Sequence, residues 1–431
     1  MGSLSEVINI PKSRVFWAVG LGHFINDTFV SMGPVILAFL SVSLLPMSNT
    51  QIGLTVTLAQ FVAAISQPGF GLLADRSGGR LLGIGGVAWT VAAMALALLG
   101  AQTGVFWLMF IPYIAQAIGS GAFHPSGAMN AADSDTSRSA SNIAYFFLMG
   151  QTGLALGPFL AGLLLDVANP PYYKAFNAPF APVYEIPFVW SARVTPLLVI
   201  VLLALPVLLF MTLAMPRPVM QSVGNATRAA ISVRSLPLRA FGILGVVVAL
   251  RSLAQPGSVT FIPVLFQQKG WSPSEYGAIT SSFWIASGMA GVMFGNLADR
   301  FDRRGVIAVS LFLAVPMFFM LPLVDGPVAF LLAILAGGLS GGSHSIIVVL
   351  AQDMIPAAKG FASGTIMGFI FATGALGSLL IGTISDQIGL ESTFQLVAAA
   401  TLAASLVALA LPAGRQQSSA VRQVKAPAAS D

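Results

Sequence analysis

Inside a run that is otherwise apolar from Phe16 to Leu40, the stretch GHFIND sets His23, Asn26 and Asp27 close together. A charged side chain in hydrocarbon is costly, and it persists where it faces a cavity or a partner. His23 precedes Asp27 by one helical turn, so the two share a helix face. A carboxyl group beside an imidazole is suited to taking up and releasing a proton near neutral pH.

Arg251 is the other formally charged residue inside an apolar run. Its planar fork suits phosphonate or carboxylate oxygens, which makes it a candidate contact for an anionic substrate. The bland alternative is a standing ion pair between Asp27 and Arg251 that never titrates. His124 and His344 are the remaining histidines, and they are expected to face one cavity from opposite sides. With Asn26, Gln151 and Gln255, they join Arg251 as candidate substrate-binding residues, while Asp27 and His23 are the candidate proton-coupling pair. Pro125 follows His124 and disfavours helical geometry there, so a broken helix is expected at that point.

What must position these residues is a set of membrane helices. The chain has 431 residues, 56% hydrophobic and 8% charged, against about 25% charged in a soluble domain. Twelve apolar runs are long enough to cross a bilayer: 16–40, 52–73, 81–100, 106–129, 143–165, 195–215, 240–265, 276–298, 306–323, 328–350, 361–384 and 394–411. Backbone polar groups in lipid must be satisfied within the segment, so each run is expected to be a helix and the fold class is all-α. The first run lacks the pattern of a cleavable signal and is expected to stay in the membrane. Cysteine is absent, which excludes disulfides and thiolate chemistry.

The net charge of +5 is topological and no sign of nucleic-acid binding. With the N-terminus in the cytoplasm, 16 of the 20 basic residues fall on cytoplasmic segments. The positive-inside rule therefore sets both termini in the cytoplasm of a multi-pass protein in the inner membrane.

The chain also repeats itself. Gly53, Gly71, Asp75 and Arg76 recur as Gly277, Gly295, Asp299 and Arg300 at an offset of 224. Gly121, His124 and Asp133 recur as Gly341, His344 and Asp353 at an offset of 220, as do Gly157, Gly162 and Asp166 as Gly377, Gly382 and Asp386. The offset of 224 also carries Asp27 onto Arg251. The domain organisation that follows is a six-helix half over 1–215, a cytoplasmic linker over 216–239, a second half over 240–412 and a disordered tail over 413–431. The segment 167–190 is read as an aromatic-rich interfacial hairpin on the outer face.

Two six-helix halves in parallel repetition resemble the major facilitator superfamily, most specifically at Gly71-Leu-Leu-Ala-Asp75-Arg76-Ser-Gly78-Gly79-Arg80, which is similar to that family's loop between spans two and three. The second copy departs from it, because Asp302 stands where the first copy has Gly78. Within the superfamily, GHFIND, IGSGAFHPSGAMNAA and AQDMIPAAKGFASG resemble the fosmidomycin-resistance family of drug exporters. A third element, with Gly153, Gly157, Pro158 and Gly162, is similar to the antiporter motif of proton-coupled exporters, with Ala161 in place of a glycine.

That resemblance implies export of a small amphiphilic or anionic, fosmidomycin-like compound in exchange for protons, by alternating access and as a monomer without a cofactor. It further implies that Gly71, Asp75, Arg76, Arg80, Asp299 and Arg300 gate the cycle. Two rivals stay open. His23, Asp27, His124 and His344 carry ligand types for a divalent ion, although Arg251 at similar depth argues against a cation site, and no metal is assigned. A transport-inactive sensor is the other. No P-loop or H-E-x-x-H motif supports an enzyme.

Overall fold

The computed structural model describes residues 10–135, 139–169, 192–216, 238–298, 300–355 and 359–412. Most of the linker, most of the hairpin and the tail anticipated above lie outside them, and the seventh span begins at Leu238, two residues inside the linker as drawn. Every regular element among the described residues is helical, and twelve helices are long and apolar enough to cross a membrane. They are α1 Arg14–Ser41, α2 Asn49–Ser77, α3 Arg80–Gln102, α4 Phe106–Asp133, α5 Ser141–Ala168, α6 Thr195–Ala214, α7 Leu238–Thr260, α8 Pro273–Ala298, α9 Arg303–Leu323, α10 Gly326–Met354, α11 Thr365–Ile388 and α12 Leu390–Ala408. All twelve apolar runs of the sequence thus become helices, and their alternating direction brings both chain ends to one side of the bundle.

Within each half, helices pack as α1 on α5, α3 on α4, α8 on α10 and α9 on α12. The halves meet through α2 against α11 and α5 against α8. Small residues allow that approach: a Cβ at Gly53 of α2 would stand 2.5 Å from the Ser378 carbonyl of α11. The α5–α8 contact runs from Gly162 beside Pro273 to Gln151 beside Gly288. One hydrophobic core joins the first half to Phe261, Phe266, Tyr276, Phe283 and Phe394 of the second, whereas a separate core around Leu244, Ile307 and Ile347 serves the chain-end part of the second half alone. In α2, Ile52, Thr55, Val56 and Ala59 are buried, and beyond them only Ala74 is.

On the closed side, two carboxylates cap helices of the opposite half. Asp386 at the end of α11 accepts from the backbone N–H groups of Asn49 and Thr50 at 2.9 and 2.8 Å. Asp166 at the end of α5 accepts from the Ser274 N–H at 3.0 Å. Each places negative charge on a helix N-terminus. The pair obeys the repeat, since Asp166 and Asp386 are equivalent and Thr50 corresponds to Ser274.

The helix interruptions fall where the sequence did not lead us to expect them. α4 runs unbroken through His124 and Pro125, because a proline in a packed membrane helix costs one backbone bond that neighbours can replace. The equivalent helix α10, with Ser345 at that position, is irregular at the single residue Gly342, whose φ of −57° and ψ of −27° stay helical, as α1 is at Met32. α7 changes to a π turn over Leu253–Gly257, around Pro256, and then to a tighter turn. A short helix, Ile262–Gln268, continues it.

Candidate functional site

His23 and Asp27 project from the same face of α1, and the imidazole Nε2 lies 3.2 Å from Asp27 Oδ2. The second carboxylate oxygen is approached from α4, with His124 Nε2 3.4 Å from Oδ1. Asn26 donates to the same Oδ1 at 2.9 Å and to Ser120 Oγ at 3.1 Å, and its own oxygen accepts from Thr90 of α3 at 3.1 Å. The continuous α4 is what carries Ser120 and His124 on one face, one turn apart.

The far side of each imidazole fixes its tautomer. His23 Nδ1 is 2.8 Å from the Phe146 carbonyl of α5, and His124 Nδ1 is 2.8 Å from the Ser120 carbonyl. A carbonyl can only accept, so both Nδ1 atoms carry hydrogen and both Nε2 atoms turn toward Asp27. Phe146 also stacks on the His23 ring with centroids 4.1 Å apart. In neutral imidazoles those Nε2 atoms present lone pairs to carboxylate lone pairs, and only a cation between them makes the contacts attractive.

The glycines of the antiporter-like element explain how α5 comes so close. A Cβ at Gly153 would lie 3.0 Å from the Thr28 amide nitrogen and 3.2 Å from Asp27 Cβ, and one at Gly157 would meet Ser31 and Thr28. Gly150 continues the same face, and a Cβ there would fall 2.9 Å from Asp27 Oδ2 and collide with the His23 ring. Gly150 escaped the sequence reading, though its spacing of three from Gly153 was the available signal. Pro158 and Gly162 lie further along, where α5 meets Gly277 and Pro273 of α8.

Arg251 forms a second cluster within the other half. The guanidinium is fully buried; Nε donates to the Ser340 carbonyl at 3.1 Å and to Ser343 Oγ at 2.8 Å, and Nη2 donates to Gln255 Oε1. Gln255 Nε2 in turn donates to Ser287 Oγ at 2.7 Å. Gln255 lies in the π turn of α7, one turn beyond Arg251, and Ser340 and Ser343 lie on the facing stretch of α10. Among the described residues Nη1 has no partner, and a charged donor left unpaired inside protein is a demand for an acceptor. His344 follows Ser343, the residue whose hydroxyl Arg251 engages. Gln151 of α5 reaches toward Gly288 of α8, and its Oε1 also lacks a partner among the described residues.

Asp27 and Arg251 thus form no ion pair with each other; each is held inside its own half. His124 joins Asp27, and His344 follows Ser343, which Arg251 engages. Asn26 is fully buried, its amide shared among Asp27, Ser120 and Thr90.

The gating residues sit at the chain-end side. Asp75 and Arg76 are exposed, Gly71 faces Pro125, and Arg80 donates to the Met215 and Thr212 carbonyls of α6. Gly78 and Gly79 take left-handed φ of 74° and 71°, open to glycine without strain. In the second copy Asp302 has φ −61°, so the turn does differ, and Arg303–Asp353 and Arg304–Asp302 supply its ion pairs. Arg300 is exposed, and Asp299 lies outside the described residues.

The family model described as Major Facilitator Superfamily matches residues 19–253 and 244–430. The fosmidomycin resistance protein of Escherichia coli (strain K12) is 24% identical over 389 residues, covering 89% of each chain. An uncharacterized MFS-type transporter of Bacillus subtilis (strain 168), YfnC, is 24% identical over 385 residues, covering 88% of each. Among solved structures, a bacterial homolog of the human lysosomal transporter Spinster, inward-facing and occupied, superposes with a TM-score of 0.72 at 14% identity, covering 92% of this chain and 96% of that one. The inward-open xylose transporter XylE from E. coli gives 0.67 at 14% identity, covering 94% and 97%.

Proposed function

Because the chain belongs to the major facilitator superfamily, a family of transporters and not of enzymes, we propose that it exports a small amphiphilic or anionic, drug-like compound by alternating access in exchange for protons. The observation that carries this reading is the pair of Nε2 atoms aimed at the two oxygens of Asp27. A proton entering the cluster relieves lone-pair repulsion, and one leaving restores it. The proton affinity of the cluster therefore depends on how α4 and α5 sit against α1, and that dependence is the coupling an antiporter needs. Asp27, His23 and His124 are the proton-binding groups, and Asn26 positions the carboxylate.

Arg251 is the anion contact, through Nη1, with Gln255, Gln151 and His344 around it. Substrate class and direction draw on the likeness to the fosmidomycin resistance protein. The basic segments favour cytoplasmic termini in the inner membrane, and the clasped side is then the outer one, so the conformation described is inward-facing. Asp75 and Arg76, free of ion pairs among the described residues, are assigned to latching the opposite, outward-facing state.

The test is drug tolerance in an efflux-deficient bacterium, with fosmidomycin and a panel of small anionic and neutral drugs. Expression of the wild type is expected to raise the inhibitory concentration of at least one compound, and Asp27→Asn and Arg251→Ala each to abolish the gain at equal membrane abundance. Tolerance that survives both substitutions contradicts the assignment.

A further inference from the structure

We propose that His23, Asp27 and His124 form a binding site for a divalent transition ion of borderline softness, of the Zn²⁺ and Co²⁺ class, and that the ion competes with protons for it. The ligand atoms of all three lie within 4.8 Å of one another. The separations decide what fits between them. A proton shared by imidazolium and carboxylate draws N and O to about 2.7–2.9 Å, whereas the contacts here are 3.2 and 3.4 Å. Ligands about 2.0–2.1 Å from a tetrahedral ion stand about 3.3 Å apart, and each imidazole keeps that spacing from the carboxylate oxygen nearest to it.

The surroundings are those of a metal site. Imidazole ligands hold their other ring N–H on a carbonyl or carboxylate, which fixes the tautomer and aims the free nitrogen. Both imidazoles do so, His23 through the Phe146 carbonyl and His124 through the Ser120 carbonyl. The ligating carboxylate is itself oriented by Asn26. Two neutral imidazoles and one carboxylate offset part of a double charge. Arg251 makes no ion pair with Asp27, so both carboxylate oxygens stay turned toward the imidazoles.

The donor set narrows the ion. Without thiolate or thioether it does not select Cu⁺, and with two nitrogens and one carboxylate it lacks the oxygen cage of Ca²⁺ or Mg²⁺. Entry is past His124, whose side chain is 30% exposed against 3% for His23 and 11% for Asp27. That open side leaves a coordination position for water or for an anionic oxygen. The inference rests on ligand geometry and not on proton coupling, so its readout is binding rather than transport.

The experiment titrates the full-length, tag-free protein in detergent with Co²⁺ and follows the visible absorption of the four-coordinate ion, then displaces it with Zn²⁺. One equivalent is expected, with affinity falling as pH is lowered because the ligands must be deprotonated. The band should vanish in His124→Ala and His23→Ala, weaken about 10- to 100-fold in affinity in Asn26→Ala, and persist in His344→Ala. If His23→Ala fails to fold, His124→Ala, at the exposed edge, and the wild-type pH dependence still decide. No band in monodisperse wild type, or a band that survives His124→Ala, overturns the proposal.

Discussion

The Asp386 carboxylate at the end of α11 accepts a hydrogen bond from the Thr50 N–H at the start of α2, 2.8 Å away, and so ties the two halves together on the side opposite the chain ends. Charge at a helix N-terminus contributes about 0.3–1 kcal/mol at an exposed site, a shift of roughly two- to fivefold in an open-to-closed ratio. Asp386→Ala is expected to raise the labelling rate of a cysteine introduced at Leu379, beside Gly53, by that factor with a membrane-impermeant maleimide. The chain has no native cysteine to interfere. Asp166→Ala should do the same at the α5–α8 contact, and an unchanged rate in both would remove the clasp from the account.

Gly150 tests how tightly α5 closes on the charged cluster. A methyl group there meets Asp27 Oδ2 and the His23 ring, and overpacking of this kind costs about 1–3 kcal/mol. Gly150→Ala should lower the melting temperature in detergent and abolish transport. Gly69→Ala, whose Cβ meets nothing within 4 Å, should do neither.

Arg251→Lys keeps the charge and loses the fork that spans Ser340, Ser343 and Gln255. Hydrogen bonds to charged groups contribute about 1.5–3 kcal/mol, so affinity for an anionic substrate should fall roughly 10- to 150-fold. Equilibrium binding to purified protein measures it. Equal affinity in both forms would place the anion elsewhere.

Asp75→Asn should slow turnover and leave substrate affinity within about twofold, because Asp75 is exposed near the end of α2 and is not among the hydrogen-bond or ion-pair partners of Asp27 and Arg251. Single-turnover and steady-state rates, compared with binding, separate the two. Loss of binding would move Asp75 out of the gate.

How much of this was legible beforehand differs by residue. The twelve helices follow from apolar length alone, and the repeat pairs Asp27 with Arg251 and His124 with His344. What hydropathy and offsets leave open is rotation: depth along a helix does not say which neighbour a side chain meets. Hence depth alone did not say that His124 lies against Asp27, nor that Asp27 and Arg251 form no ion pair and stay in separate halves. Pro125 misled because a proline's local penalty is absorbed by packing in α4, which runs unbroken through it. Gly150 was hidden for the same reason as His124, since a glycine announces a close approach without naming what approaches.

The central claim is that the Asp27 cluster carries the coupling proton, and proteoliposomes with an imposed pH gradient and an internal pH dye test it most directly. Substrate-evoked proton movement in the wild type that disappears in Asp27→Asn, with substrate binding retained, is the predicted result. Gradient-insensitive transport that survives Asp27→Asn would contradict it and make the protein a uniporter or a carrier coupled by other means.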